Sequence, residues 1–481
     1  MRLGSPFTDH MVLQRNTDVP VWGKAEPGAA VEVVFAGQTL KTQASPEGKW
    51  SVSLDSLKAT SKGSDFIVRS GPSTLSLNDV VVGEVWICSG QSNMAFGRGS
   101  VKELDGLSEA GIRTFQVKNT VAFEEQDELE GEWKIEGPSS AVAFGFAHHL
   151  AKHIDGDFPV GIILTSWGSS AIEAWMPRDM ADDVPAFATG LKELDENQEA
   201  RDQIKAALAK GKWDRNEDVF MRRQVNIVYN AMMKPLAPYA CSGLVWYQGE
   251  RNERYMSGMP DEPWFHRVSS IEDYDDTLKA WIQRYRQEWQ RDDMHFYIVM
   301  LPGFANVLST SPTEDATHPT AHGRAWMRES QLKAWDIEHT GVANTIDLGH
   351  PTNNHPKDKA PIGERLALLA AKDVLGKEIE ASGPVFDRLE AKSGKLIVHF
   401  RHAKTLKTSD GAPPTEFWVA GSDKKWTPAN AVIQGSTVVL TAKDCPAPEQ
   451  VRYAFTGMPK VNLVNQAGLP AYPFRSDNFA P

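Results

Sequence analysis

The sequence predicts an α/β protein with a mainly parallel sheet flanked by helices and β-sandwich-like regions at both ends of the chain. Three observations predict it. Short strand-like runs with turn punctuation and no intervening helix fill residues 1–80. Apolar strand-like runs alternating with helical segments fill 81–376. Strands return alone over 377–481. A chain of 481 residues has room for about three such domains. Its 41% hydrophobic and 24% charged residues are the balance of a water-soluble globular protein with a large core.

The N-terminal β domain, 1–80, rests on Val19-Pro20-Val21-Trp22-Gly23, Ala30-Val31-Glu32-Val33-Val34-Phe35, Trp50-Ser51-Val52-Ser53-Leu54 and Phe66-Ile67-Val68. Glu26-Pro27-Gly28-Ala29 and Ser45-Pro46-Glu47-Gly48 break them as turns. In the α/β segment, apolar runs end near Cys88, Ser166, Tyr247, Leu301 and Leu348. They show little alternation, as expected of strands covered on both faces. Helices are expected over 141–154 and 271–289, the latter from Tyr274, Leu278, Trp281, Ile282 and Tyr285 at helical spacing. Residues 185–219 form a charged helical insertion, expected as a solvated surface helix, with a lid over a pocket as the alternative. The C-terminal β region, 377–481, rests on Lys395 to Phe400, Glu416 to Val419, Thr437 to Leu440 and Val451 to Phe455, and is expected to pack with the N-terminal domain.

A net charge of −12 lacks the basic excess that non-specific nucleic-acid binding draws on. No apolar run approaches the roughly 20 residues of a membrane-spanning helix. The chain begins Met1-Arg2-Leu3-Gly4 and runs into domain-like sequence without an apolar targeting segment. Cys88, Cys241 and Cys445 form no CxxC pair and leave room for one disulfide without implying it.

Ligands of parallel α/β sheets bind beyond the carboxyl ends of the strands, so the residues following each strand carry the chemistry. After Val85-Trp86-Ile87-Cys88, Gly90 permits a tight turn that presents Ser92 at the mouth of the sheet. That hydroxyl suits a nucleophile; the ordinary alternative is a helix N-cap. After Thr165-Ser166, Gly168 can offer its backbone N–H to an oxyanion, or serve only as a turn glycine. After Trp246-Tyr247, Gln248 brings an amide donor and Glu250 an acid that organises the loop; the plain alternative is a polar turn. His355 lies on the loop before a helix opened by Pro361 and ended by Gly376, a place suited to a general base, where a histidine is otherwise solvated or structural. His350 and His355 lack further ligands at metal spacing, so no metal is expected. Together, at successive strand ends, the set reads as a serine hydrolase site. Trp167, Trp175, Trp246 and Tyr247 offer aromatic surface for a sugar ring, or core.

The motifs resemble those of the sialate O-acetylesterases, a branch of the SGNH serine hydrolases. The resemblance rests on Gly83-Glu84-Val85-Trp86-Ile87-Cys88-Ser89-Gly90-Gln91-Ser92-Asn93-Met94, Ser166-Trp167-Gly168, Glu173-Ala174-Trp175-Met176, Trp246-Tyr247-Gln248-Gly249-Glu250, and His355-Pro356 with Lys359 and Gly363-Glu364-Arg365. It extends to Ser5-Pro6-Phe7 and Asp9 to Arg15 at one end, and to Asn462-Leu463 and Pro473-Phe474-Arg475 at the other, so nearly the whole chain is covered. It implies an SGNH-like catalytic domain over 81–376. In it Ser92 is nucleophile and His355 base, the N–H groups of Ser92 and Gly168 form the oxyanion hole with Gln248, and Asn252 is an alternative amide. It further implies an O-acetylated sugar or glycan substrate, foremost sialate 9-O-acetyl groups, no cofactor, and a periplasmic or secreted location. Acetylated xylan or another plant glycan is the alternative substrate, and a non-catalytic glycan-binding protein the alternative of another class. Many relatives carry Asp two residues before the histidine, where this chain has Asn353. Losing that acid from a true triad costs about 10⁴ in kcat. The resemblance therefore implies a Ser–His dyad oriented by a backbone carbonyl, with Asp347 or Glu250 as substitute acids and the Asn353 carbonyl as an uncharged acceptor.

Overall fold

The computed structural model describes residues 1–256, 265–305, 318–319 and 323–479. The chain forms two compact units, Met1–Gln248 with Lys279–Tyr297, and Gly249–Leu278 with Ile298–Pro481.

In the first unit, β1 (Val19–Lys24), β2 (Ala30–Phe35), β3 (Lys49–Leu54) and β4 (Thr60–Ser70) form the expected N-terminal strands. β1 pairs antiparallel with β3, and β2 with β4. β1 buries every second side chain, which is the two-residue period of a sheet with one wet face. β5 (Ser73–Gly90) then does two jobs. Its first half alternates Leu75, Leu77 with polar residues and pairs antiparallel with β4. From Val80 on it is apolar apart from Glu84 and Ser89, buried on both faces, and runs parallel to its later neighbours. Residue 80 thus falls inside one strand that serves both regions.

The rest of this sheet is built from β6 (Ile112–Gln116), β7 (Val160–Ser166), β8 (Gly243–Tyr247) and β9 (His295–Val299), in the order β6-β7-β5-β8-β9. β6, β7, β5 and β8 are parallel. The helix α1 (Ala141–His153) begins at Ser140, whose side chain caps the Ala143 N–H. Its Phe146 meets Trp86 edge-on, and Tyr297 stacks on the same indole with centroids 5.2 Å apart. The insertion is three helices, α2 (Pro185–Glu196), α3 (Gln198–Lys210) and α4 (Arg215–Arg222). Asn197 caps α3, and a capping box between Asp214 and Glu217 starts α4. The helix expected from residue 271 begins instead at Tyr274, as α5 (Tyr274–Trp289), because the Ser270 hydroxyl takes the Asp273 N–H and holds a turn before it.

The second unit carries α6 (Gly323–Leu332), β10 (Thr340–Ala343), α7 (Ala360–Asp373) and small antiparallel sheets. The run ending at Leu348 is not strand to its end. β10 stops at Ala343, since the Asn344 side chain accepts the Ile346 N–H at 3.1 Å and turns the chain. The four expected C-terminal strands are present as β11 (Lys395–Arg401), β12 (Phe417–Ala420), β13 (Thr437–Thr441) and β14 (Gln450–Tyr453). β11 pairs with β13, and β12 with β14. The three cysteines are buried free thiols, and among the described residues no helix is long and apolar enough to cross a membrane.

Candidate active site

Gly90 ends β5 level with Ser166 of β7 and Tyr247 of β8, so three loops leave the sheet at one height. Gly90 has φ +135°, and a Cβ there would stand 2.2 Å from the Tyr247 carbonyl oxygen. Only glycine fits. The turn beyond it is tied by main chain: Gln91 N–H donates to Tyr247 O and Trp167 N–H to Gly90 O, both at 3.0 Å. Met94 and Ala95 N–H both reach Gln91 O at 3.0 Å. No helix follows at once, so Ser92 does not cap one; it stands half-buried on a single turn.

Gly168 lies against this serine. A Cβ on it would be 3.3 Å from Ser92 Cβ and 3.5 Å from Ser92 Cα, so a larger residue would crowd the hydroxyl. Among the described residues nothing accepts the Gly168 N–H. Gln248 is fully buried and gives its NH₂ to Gln91 Oε1 and Ser170 O, both at 3.3 Å, while Gln91 in turn approaches Ser92 Oγ at 3.5 Å. The first unit therefore brings together Ser92, Gly168 and Gln248. It also corrects the aromatic expectation. Trp167, Trp175, Trp246 and Tyr247 are buried core, and the Trp175 indole is used up on Ser170 Oγ at 2.9 Å, so none of them is a sugar platform.

The second unit holds His355, Asn353, Glu250 and Asn252. The Asn353 side chain bonds the backbone of His355, accepting its N–H at 2.9 Å and donating to its carbonyl at 3.0 Å. It shapes the loop. Asp347 is held in a two-point pair with Arg365, both contacts 2.7 Å. His350 Nδ1 accepts the N–H groups of Thr352 and Asn353 at 3.2 and 3.0 Å, the task of a turn cap. Asn252 is buried, with its NH₂ on the Ser269 carbonyl at 3.4 Å. Arg324, in the first turn of α6, was missed by sequence reasoning, because a helical arginine looks solvated. It is 1% exposed, pairs with Glu253 at 2.7 Å and donates to Asn354 Oδ1 at 2.7 Å, anchoring the histidine loop.

Charge tunes this loop. His355 keeps contact with solvent, yet the protein packed around its ring lowers its pKa; Glu250 raises it and Lys359 lowers it. The imidazole is thus neutral at pH 7 and able to accept a proton. Lys359 is fully buried, and burial brings its pKa down to about 7 against the pull of Glu250 and Asp358. Glu253 is pushed up to about 7 by burial, with Arg324 opposing.

Residues 82–372 match the family described as carbohydrate esterase, sialic acid-specific acetylesterase. The chain is 25% identical to the sialate O-acetylesterase of Rattus norvegicus, over 95% of this chain and 90% of that protein. Against the Homo sapiens sialate O-acetylesterase the identity is 25%, over 98% and 92%. The crystal structure of a carbohydrate acetylesterase from Xanthomonas citri superposes with a TM-score of 0.81 at 30% identity, covering 99% of this chain and all of that one. A strand-end serine on a glycine turn, Gly168 packed against it and these similarities agree: the chain belongs to the sialic acid-specific acetylesterase family of carbohydrate esterases.

Proposed function

We propose that this protein removes O-acetyl groups from sugars by two-step acyl transfer, with Ser92 as nucleophile and His355 as general base. The carrying observation is Ser92 on the Gly90 turn with Gly168 against it, whose N–H meets no acceptor among the described residues. In the proposed reaction His355 takes the Ser92 proton as the hydroxyl oxygen bonds the acetyl carbon. The N–H groups of Ser92 and Gly168 stabilise the oxyanion; each such donor is worth about 10² to 10³ in rate. The sugar hydroxyl leaves with the proton from His355. Water, activated by the same imidazole, then releases acetate and frees Ser92. Gln248 completes the oxyanion set, and its present bonds to Gln91 and Ser170 favour a bracing role within it.

No triad acid is required by this reading. Asn353 and Asp347 are committed to the loop backbone and to Arg365, which leaves Glu250 as the carboxylate that favours the protonated ring. The catalytic part is an SGNH-type domain over 81–376, with the regions 1–80 and 377–481 accessory to it. The relatives' name, sialate O-acetylesterase, favours an O-acetylated sialic acid as substrate over acetylated xylan, and the 9-O-acetyl ester is the form proposed.

The test is Ser92→Ala with a chromogenic acetyl ester. Turnover should fall by about 10³-fold or more, and a serine-directed phosphonate should label the native chain and spare the variant. Undiminished turnover ends the proposal. An unlabelled native chain would favour a glycan-binding protein without catalysis. Parallel assays on O-acetylated sialoglycan and acetylated xylan decide the sugar.

A further inference from the structure

The peptide between Trp167 and Gly168 carries two polar groups, the Trp167 carbonyl and the Gly168 N–H. It is trans, so the two point to opposite sides of one rigid plane, and fixing the carbonyl fixes the N–H. The chain before it is anchored twice. Trp167 N–H donates to Gly90 O at 3.0 Å, and the Trp167 indole N–H donates to Asp218 Oδ1 at 3.0 Å. Beyond it the main chain gives no support: among the described residues no N–H of Gly168, Ser169 or Ser170 makes a main-chain hydrogen bond. Ser169 stands at φ +61°, a conformation that a non-glycine residue keeps only where its surroundings impose it.

What holds this peptide is the Ser170 hydroxyl, which donates to the Trp167 carbonyl at 2.7 Å. Ser170 is fully buried, and its oxygen accepts the Trp175 indole N–H at 2.9 Å. An indole nitrogen only donates, so the one hydroxyl proton is left for the carbonyl. Trp175 is itself held, since its carbonyl accepts from the Trp281 indole at 3.2 Å and from the Tyr285 hydroxyl at 2.6 Å. At the far end of the turn, the Gln248 amide donates to the Ser170 carbonyl at 3.3 Å. A hydrogen-bond chain thus runs from Trp175 through Ser170 to the Trp167–Gly168 peptide, and Gly168 packs against Ser92. Each bond in such a chain polarises the next, so an amide whose carbonyl accepts a bond is the stronger N–H donor.

We propose that Ser170 is a positioning residue for the oxyanion hole: its hydroxyl locks the Trp167–Gly168 peptide in the orientation that leaves the Gly168 N–H available to the oxyanion. This rests on the esterase reading, in which Gly168 is a donor. Without the bond the peptide can rock about its flanking single bonds, and the donor must be realigned at each turnover. The contact to the oxyanion matures only as charge develops on the carbonyl oxygen, so the loss falls on kcat and spares KM.

The experiment measures kcat and KM of the full chain and its variants on a chromogenic acetyl ester, with folding checked by circular dichroism. Ser170→Ala should lose about 10- to 10²-fold in kcat, a part of the roughly 10²–10³ that removing an oxyanion donor costs. Its KM should stay within about threefold of native. Ser170→Thr, which keeps the hydroxyl, should recover most of the loss. A native kcat in Ser170→Ala, a loss confined to KM, or a threonine variant no better than the alanine one overturns the inference. Should the alanine variant not fold, Ser170→Cys decides, since its thiol fills similar space and donates weakly: a kcat about tenfold lower supports the positioning role, and a native kcat refutes it. A native chain without turnover sinks the esterase reading and this inference with it, whereas native turnover that survives Ser170→Ala unchanged sinks the inference alone.

Discussion

The serine turn and the histidine loop are held by different physics. Residues 90–95 are fixed by main chain, through Gln91 to Tyr247, Trp167 to Gly90, and Met94 and Ala95 to Gln91. Side chains add the missing Cβ of Gly90 and the amide contacts of Gln91 with Gln248 and Ser92. Residues 349–359 are fixed largely by side chains: the His350 imidazole, the Asn353 and Asn354 amides, and Asp358 on the Gly349 N–H. Main-chain bonds at strand ends do not titrate. Buried ionisable side chains do, and burial brings both Glu253 and Lys359 to about 7. A nucleophile needs a fixed place, while a base also needs a tuned pKa, and each region is built for its need.

The sharpest cut is Gly90→Ala. The new methyl would fall on the Tyr247 carbonyl at a φ that L residues rarely adopt. We expect a loss of about 3 kcal/mol or more in stability from strain and overpacking together. Displacement of Ser92 should cost at least roughly 10²-fold in kcat/KM. Gly97→Ala is the control, since nothing lies within 4 Å of its added Cβ and its φ is −68°. Thermal unfolding and ester turnover check both; a Gly90→Ala enzyme with native kinetics would break the claim that the Gly90 turn places the serine.

Arg324→Leu cuts the other region. It strands Glu253 in the core, and breaking a buried pair this way costs about 3–5 kcal/mol. It also frees Asn354, so kcat should fall with stability. The pH dependence identifies the cause. Glu253 in the folded chain already has a pKa near 7 against an ordinary 4.5. Losing the cation raises it further. A raised folded pKa means the folded state holds the proton longer, so stability is greatest below pH 4.5 and falls as pH climbs through the folded value. Denaturant melts should therefore show a variant deficit that is level up to about pH 6, where both folded chains hold the proton, and that grows from about pH 7 upward. A pH-independent deficit would mean lost packing in place of a stranded charge.

The contrast also explains what could be read from residues alone. Strands covered on both faces leave continuous apolar runs, so β5, β7 and β8 and the loops after them were legible, and with them the strand-end positions of Ser92, Gly168 and Gln248. Glycine was legible at Gly90 because a strand-end turn asks for it. The run to Leu348 misled, because apolar character cannot report that Asn344 turns the backbone with its side chain. The aromatics misled for a related reason: a strand-end tryptophan reads the same whether it faces a sugar or the core. Arg324 was illegible. Helical spacing places it, and only the fold shows that it is buried against Glu253.

The smallest and most discriminating change concerns the base itself. On the proposed mechanism kcat/KM should rise with pH as His355 loses its proton, with a midpoint below the ordinary histidine value of 6.5. Lys359, with a pKa near 7, is still charged across that limb and helps depress it. Lys359→Met should move the midpoint up by roughly half a pH unit. Glu250→Gln should move it down, because the carboxylate favours the imidazolium. The second shift should be the smaller, since Glu250 also holds the proton on Lys359, and its loss lets that lysine neutralise and relieve the ring. Opposite and unequal shifts would establish a base tuned by buried charge. Coincident midpoints in all three enzymes would mean that burial alone sets the imidazole, and that the histidine loop resembles the serine turn more closely than its side-chain bonds suggest.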